Sequence, residues 1–313
     1  QKMNEKYPEV TAEIARELYV DDLIHGEYTV EKGKRFNPVA CDIFKDANFV
    51  LHKWHSNVPE LEEVSNEEIN SERDEKSYAK QKLITTPTSD VRLLGIPWDK
   101  KDDTLSIRIP QLDVIDTKRG VLKYLASIYD PLGFLSPITL KGKLIFRDLC
   151  DSKYTWDQPL DGDFLKRWID FKSSLPSEAT LPRSVVKEKR ELDSVDLHVF
   201  CDASKNGVAA AIYAVTQQGD VINQGLIAAK SRLPKKTTIP RLELTAAHMG
   251  ANMWSNLKSC LKDVKIRRSV VWSDSTVALH WIHGNGDLYK QFVRNQVKKI
   301  SDLNVDEWRH VPG

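Results

Sequence analysis

The chain has 313 residues, 41% hydrophobic and 29% charged with a formal net charge of +1, which is enough for about two domains and is the composition of a soluble protein. No apolar run approaches the ~18 residues of a membrane span, and the polar N-terminal QKMNEKYPEV holds no signal-peptide segment, so neither membrane insertion nor secretion is expected. Four scattered cysteines, Cys41, Cys150, Cys201 and Cys260, lack CxxC spacing; this excludes a disulfide framework or a zinc ribbon and leaves buried free thiols as the expectation.

In chain order, YPEVTAEIARELYVDDLIHGEYTVEKG predicts a helix, a strand, a tight turn carrying Asp21 and Asp22, and a returning strand, with another helix near Pro38 to Asn48. NFVLHKWHSN alternates Phe49, Leu51 and Lys53 with Val50, His52 and Trp54, the period of a strand. Glu60 to Gln81 is rich in charge without strong periodicity, as in a loop or a surface helix. The apolar arms of VRLLGIPWDKKDDTLSIRI predict a hairpin. From Thr117, KRGVLKYLASIYDP, ITLKGKLIFRDLCD and DFLKRWIDFKSSLP read as three helices punctuated by proline or glycine. Residues 117 to 190 hold fourteen Lys/Arg against nine Asp/Glu, a surplus that suits a phosphate backbone.

A domain boundary is expected near residue 190. Beyond it, Val195–Asp202, Gly207–Val215 and Val221–Lys230 predict an antiparallel meander. Leu242, Ala246, Met249, Met253, Leu257 and Cys260 then recur at spacings of three and four, an amphipathic helix over 241–261 entered through Pro240. Arg268–Asp274 is a fourth strand, Ser275 caps a helix TVALHWIH that Gly284 ends, a helix runs from about Leu288 to Leu303, and EWRHV begins a fifth strand.

Three carboxylates fall at the edges of these elements: Asp202 in HVFCDAS, Glu243 in IPRLELTAA and Asp274 in VVWSDST. A right-handed crossover sets the fourth strand parallel to the first, which would bring Asp202 and Asp274 together at the carboxyl ends of their strands. Glu243 would join them from the first turn of the intervening helix, where Ala247 and Gly250 permit close approach. Clustered like charges call for a cation, and oxygen ligands without histidine or thiolate favour Mg²⁺ or Mn²⁺. Two such ions roughly 3.5 to 4 Å apart activate water and stabilise the leaving oxygen at phosphorus, so nucleic-acid hydrolysis is the natural reaction.

Several segments, in order, resemble the polymerase polyprotein of long-terminal-repeat retrotransposons of the BEL/Pao group. LYVDDLI looks like the YxDD hairpin of its reverse transcriptase, and NFVLHKWHSN, VRLLGIPWD and LASIYDPLGFLSPITLKGKLIFRDL look like later palm, primer-grip and thumb or connection segments. FCDAS, AAKSRLPKKTTIPRLELTAA, VVWSDSTVALHWI and WRHVPG are similar to its ribonuclease H domain. The resemblance implies an α/β chain of the α+β kind. Residues 1–116 would be the C-terminal part of the palm, 117–190 a helical thumb or connection region that sometimes carries the name Pao retrotransposon peptidase, and 191–313 a truncated ribonuclease H fold with a mixed five-stranded sheet.

The same resemblance makes Asp21 and Asp22 the acids of the polymerase hairpin, with Asp21 the stronger metal ligand. It makes Asp202, Glu243 and Asp274 three of four nuclease carboxylates, Asp202 shared by both metals. One polymerase aspartate is expected before residue 1 and the fourth nuclease acid after Gly313, so an internal fragment impaired in both activities is expected. The implied partners are RNA/DNA hybrid, template-primer nucleic acid and other polyprotein segments, with no membrane, in the cytoplasm within a virus-like particle.

Three rival readings stand beside this one. An aspartic peptidase needs an Asp-Thr/Ser-Gly setting, and no such tripeptide occurs in the chain. A non-catalytic nucleic-acid-binding relic fits the missing acids. An integrase-like strand transferase would use three acids, yet Glu307 sits in an expected strand and Glu243 already fills the helical position. His52 and His55, and His280 and His283, have HxxH spacing without a third ligand and read as surface or packing histidines. Trp254, Trp272 and Trp281 are expected to face a core, Tyr19 to have a substrate-side role, and Lys235 and Lys236 either to touch phosphate or to be solvated.

Overall fold

The computed structural model describes residues 2–51, 54–62, 91–112, 114–187, 190–261 and 264–313. They form two compact units, one built around Gln1–Ser106 and the other around Ile107–Ala179 and Leu192–Gly313, with short pieces of the intervening linker divided between them.

In the first unit, helices α1 (Lys2–Lys6) and α2 (Pro8–Glu17) lead into a hairpin of β1 (Leu18–Tyr19) and β2 (Asp22–Leu23). Helix α3 (Val30–Asp46) starts well ahead of Pro38, because the Thr29 side chain accepts a hydrogen bond from the Lys32 amide and caps it. Pro38 forfeits one backbone bond inside α3, and burial of Phe36 and Ala40 against Ile14 of α2 holds the helix through it.

The strand expected over NFVLHKWHSN is absent from its described residues: Leu51 and Trp54 pack on the α2–α3 cluster, so their alternation serves a helical core and not a ladder. His52, Lys53 and most of Glu60–Gln81 lie outside the described residues. The expected hairpin forms from β4 (Ile96–Asp99) and β5 (Thr104–Arg108), preceded by β3 (Arg92–Leu93). Asp103, at φ 50° in its turn, accepts from Trp98 Nε1 at 2.9 Å and from the Arg183 guanidinium at 2.6 and 2.8 Å.

The second unit begins with helices α4 (Lys118–Ser127), α5 (Ser136–Asp151) and α6 (Gly162–Ser174), as the sequence predicts. Thr117 caps α4 through the Gly120 amide, and Gly120 is obligatory because a Cβ there would fall 1.9 Å from the Ile115 carbonyl oxygen. Asp116 accepts from Trp168 Nε1 and Lys172 Nζ, each at 2.8 Å, and ties α6 to the start of α4. Strand β6 (Glu178–Pro182) follows, and from Thr180 its residues return to the first unit.

Next come the antiparallel strands β7 (Ser194–Ala203), β8 (Val208–Gln218) and β9 (Val221–Arg232), then α7 (Ile239–Cys260), β10 (Ile266–Ser273), α8 (Thr276–His283), α9 (Gln291–Ser301) and β11 (Trp308–His310). The five strands lie in the order β11-β10-β7-β8-β9, with β10 parallel to both β7 and β11.

Alternation decides the faces. Val199, Cys201, Ala210 and Ile212 turn inward with Leu242, Ala246 and Trp254 of α7, which buries an apolar cluster between sheet and helix. Trp281 packs beside Leu244 and Ala247, as expected of a core residue. Trp272 departs from that expectation: it stands on the sheet's other face, stacked with His198 and Phe200, because its register partner is Phe200. The cysteines depart too, since Cys201 is buried but Cys150 and Cys260 are exposed.

The helical segment 117–175 shares its unit with this sheet. At the DPLG turn, Asp130 accepts from the Phe134 and Leu135 amides at 2.9 and 2.8 Å, and the Ala229 amide of β9 donates to the Leu132 carbonyl at 2.8 Å. Ser231 Oγ donates to the Ser136 carbonyl at 3.0 Å. Part of the β9 edge is thereby covered, which blocks pairing with another chain there.

Candidate metal centre

Strands β7 and β10 run side by side with Ser273 opposite Cys201, so Asp202 and Asp274 leave adjacent strand ends at the same level. Helix α7 crosses beneath them at close range. A Cβ at Gly250 would lie 2.2 Å from Cys201 Sγ and 3.1 Å from a Val199 methyl, so this glycine sets how near α7 sits to β7. That approach carries Glu243 to the strand ends from just past the first turn of α7, slightly later than the sequence predicts.

One carboxylate oxygen from each of Asp202, Glu243 and Asp274 lies within 4.8 Å of the other two. Asp202 and Asp274 are exposed, whereas Glu243 is only 6% exposed. Its Oε2 is buried with no hydrogen-bond partner among the described residues. Burial, then the charges of Asp274 and Asp202, push the Glu243 carboxyl up to about 7, partly offset by a hydrogen bond from the Ala203 amide. A buried, unpaired carboxylate beside two others costs free energy that a hard cation relieves, so the donor set fits Mg²⁺ or Mn²⁺.

Neighbouring groups fix the backbone around the acids. Ser273 is fully buried and its Oγ accepts from the Ser275 amide at 3.2 Å, while Ser275 Oγ caps α8 through Ala278. The Val311 amide donates to the Ser273 carbonyl at 3.1 Å, extending the pairing with β11 up to the residue before Asp274.

Asp21 and Asp22 stand apart from any such cluster among the described residues. Tyr19 and Asp22 are register partners, so Val20 and Asp21 form a two-residue turn in which Val20 adopts φ 57°, a strained value for a β-branched residue. Both acids are exposed, and Tyr19 is 64% exposed. His280 and His283 are exposed and join no metal-ligand group among the described residues; His55 Nδ1 lies 3.5 Å from Glu62.

Sequence reasoning missed two cations, Arg147 of α5 and Lys205 after β7, which line a cleft together with Lys235 and Lys236. The basic surplus of residues 117–190 was the available signal, but nothing local ties Arg147 to a loop almost ninety residues later.

A family model described as the Pao retrotransposon-like RNaseH-like domain matches residues 117–275, just over half of the chain, and spans all three carboxylates. No curated protein matches. Among solved structures, RNase H1 of the halophilic archaeon Halobacterium salinarum NRC-1 is 18% identical, with 38% of this chain and 86% of that chain covered and a TM-score of 0.25. LC11-RNase H1 in complex with RNA/DNA hybrid is 15% identical, with 38% and 85% covered and a TM-score of 0.27. The foamy viral protease-reverse transcriptase in complex with dsDNA is 12% identical, with 66% and 40% covered and a TM-score of 0.37. Likenesses this distant carry no argument about activity.

Proposed function

Because the chain belongs to the Pao retrotransposon-like RNaseH-like family, we propose that Asp202, Glu243 and Asp274 jointly hold Mg²⁺ or Mn²⁺ and that the site hydrolyses the RNA strand of an RNA/DNA hybrid. One observation carries the reading: three carboxylates converge within 4.8 Å, and one of them is a buried glutamate with an unpartnered oxygen. When bound, such a cation supplies an acidified water and neutralises charge building on the leaving oxygen.

The residues divide the remaining work. Asp202 and Asp274 offer oxygens on the solvent side, where a phosphodiester arrives. Glu243 closes the site from within, anchored by α7 against the sheet. Choice of the RNA strand would rest on the 2′-hydroxyl and the shape of the hybrid, with little reading of bases.

The test is a hybrid labelled on each strand in turn and incubated with Mn²⁺ or Mg²⁺. RNA-strand cleavage is expected to fall by at least about 100-fold in Asp274→Asn and to stop in EDTA. Cleavage that persists in either condition contradicts the assignment.

For Asp21 and Asp22 the proposal is a share in the polymerase site of a reverse transcriptase, supported by the exposure of Asp21 in a strained two-residue turn and of Asp22 at the strand position that follows it. Asp21→Asn in the full polyprotein is expected to abolish Mg²⁺-dependent primer extension, and undiminished extension would contradict it.

A further inference from the structure

The turn that follows Asp202 is held from outside the sheet. Residues 204–207 close it: the Ser204 amide donates to the Gly207 carbonyl at 2.8 Å, and Ser204 Oγ accepts from the Asn206 and Gly207 amides at 3.1 and 3.2 Å. Ser204, Lys205 and Asn206 are exposed, whereas Gly207 is buried. Leu140 of α5 lies against it, so closely that a Cβ at Gly207 would fall 2.6 Å from Leu140 Cδ2. The φ of Gly207 is outside the left-handed region, so the missing side chain makes room for Leu140 and does not relieve the turn.

The same helix meets this corner of the sheet at a second point. Ser231 Oγ donates to the carbonyl of Ser136, the first residue of α5, and Ser136 lies one helical turn before Leu140. Ser231 pairs with Ala209, and Ala209 pairs with Asp202. One face of α5 therefore touches both the turn after Asp202 and the strand two places across from it.

Two of the three acids depend on that corner. Asp202 is the second-last residue of β7, and the amide of the next residue, Ala203, bonds to the Glu243 carboxylate. A shift of the turn moves one carboxylate and the donor that aligns another. Exposed strand ends open locally at little cost unless something packs on them. A leucine packs there without adding an oxygen or a charge that would compete for a cation.

We propose that Leu140 is a positioning residue for the carboxylate site: through Gly207 it fixes the turn that aims Asp202 and the Ala203 amide, which makes the helical segment a working part of the site. The purpose of this brace rests on the cation-site reading, whereas its mechanics do not.

The experiment titrates Mn²⁺ by electron paramagnetic resonance in the full chain and in Leu140→Ala, Leu149→Ala, Gly207→Ala and the Leu140→Ala/Gly207→Ala pair, each at a temperature where circular dichroism shows it folded. Leu149 is fully buried in the same helix, so its truncation controls for lost stability. Leu140→Ala is expected to weaken Mn²⁺ binding by about tenfold, the lower range for groups that orient metal ligands, and Leu149→Ala to leave it unchanged. Gly207→Ala, which pushes Leu140 aside, is expected to weaken binding too. The pair is expected to lose less than the product of the single losses, because the new methyl enters the space that Leu140 vacates. With an RNA/DNA hybrid, kcat of Leu140→Ala is expected to fall at low Mn²⁺ and recover at high Mn²⁺, with KM for the hybrid unchanged.

Native Mn²⁺ affinity in Leu140→Ala, an equal loss in Leu149→Ala, or single losses that simply multiply would overturn the proposal. Amide hydrogen exchange in EDTA separates it from the reading it rests on. Faster exchange at the Ala203 and Gly207 amides is expected in Leu140→Ala and not in Leu149→Ala. That result in a chain whose native form binds no Mn²⁺ would keep the brace and remove the cation site, and unchanged exchange would remove the brace.

Discussion

Glu243 joins the fold to the chemistry. Burial and two neighbouring acids raise its folded-state carboxyl to about 7, above the ordinary value of 4.5. The sign follows from linkage: below about 4.5 the group is neutral in both states, and between there and about 7 only the unfolded chain ionises, so metal-free stability falls as pH rises. The loss amounts to roughly 2–3 kcal/mol by pH 8. Glu62 and Asp103, held low by Lys100 and Arg183, work in the opposite direction but at more acid pH. In EDTA, the Tm of the native chain is expected to drop relative to Glu243→Gln between pH 5 and 8, and parallel Tm curves would refute this. That the three acids would converge was legible because each stands at a strand end or near a helix start. The burial of Glu243 was not, since it depends on how closely Gly250 lets α7 approach Cys201.

Among elements, the helices of the second unit were legible from their periodicity with or without a side-chain cap, whereas α3, capped by Thr29, starts earlier than the sequence placed it. Thr117 and Ser275 start their helices as expected, and the meander and its crossover follow from alternation and a change of period. NFVLHKWHSN misled because alternating apolar residues also suit an extended segment lying on a helical pair, where Leu51 and Trp54 find partners without a ladder. The DPLG turn is the element on which a sharp prediction rests. Gly133 adopts φ 76°, and a Cβ there would fall 1.8 Å from the Ala229 carbonyl oxygen. Gly133→Ala is expected to destabilise the second unit by about 1–3 kcal/mol, read by urea denaturation, and an unchanged midpoint would contradict the docking of this turn on β9.

At the scale of the whole molecule, the helical segment 117–175 and the five-stranded sheet form one compact unit, and the family match that starts at residue 117 covers both. That union was not legible in the sequence, because contacts such as Leu132 with Ala229 and Ser136 with Ser231 join residues almost a hundred positions apart. It also sets Arg147 beside the loop that leads to Glu243. The central claim is that three carboxylates from two strands and one helix make a single cation site. The most direct measurement is an electron paramagnetic resonance titration of the chain with Mn²⁺ at pH 8. Saturable binding that is lost in both Asp202→Asn and Glu243→Gln is predicted, and binding of equal strength in the native chain and either variant would contradict the account.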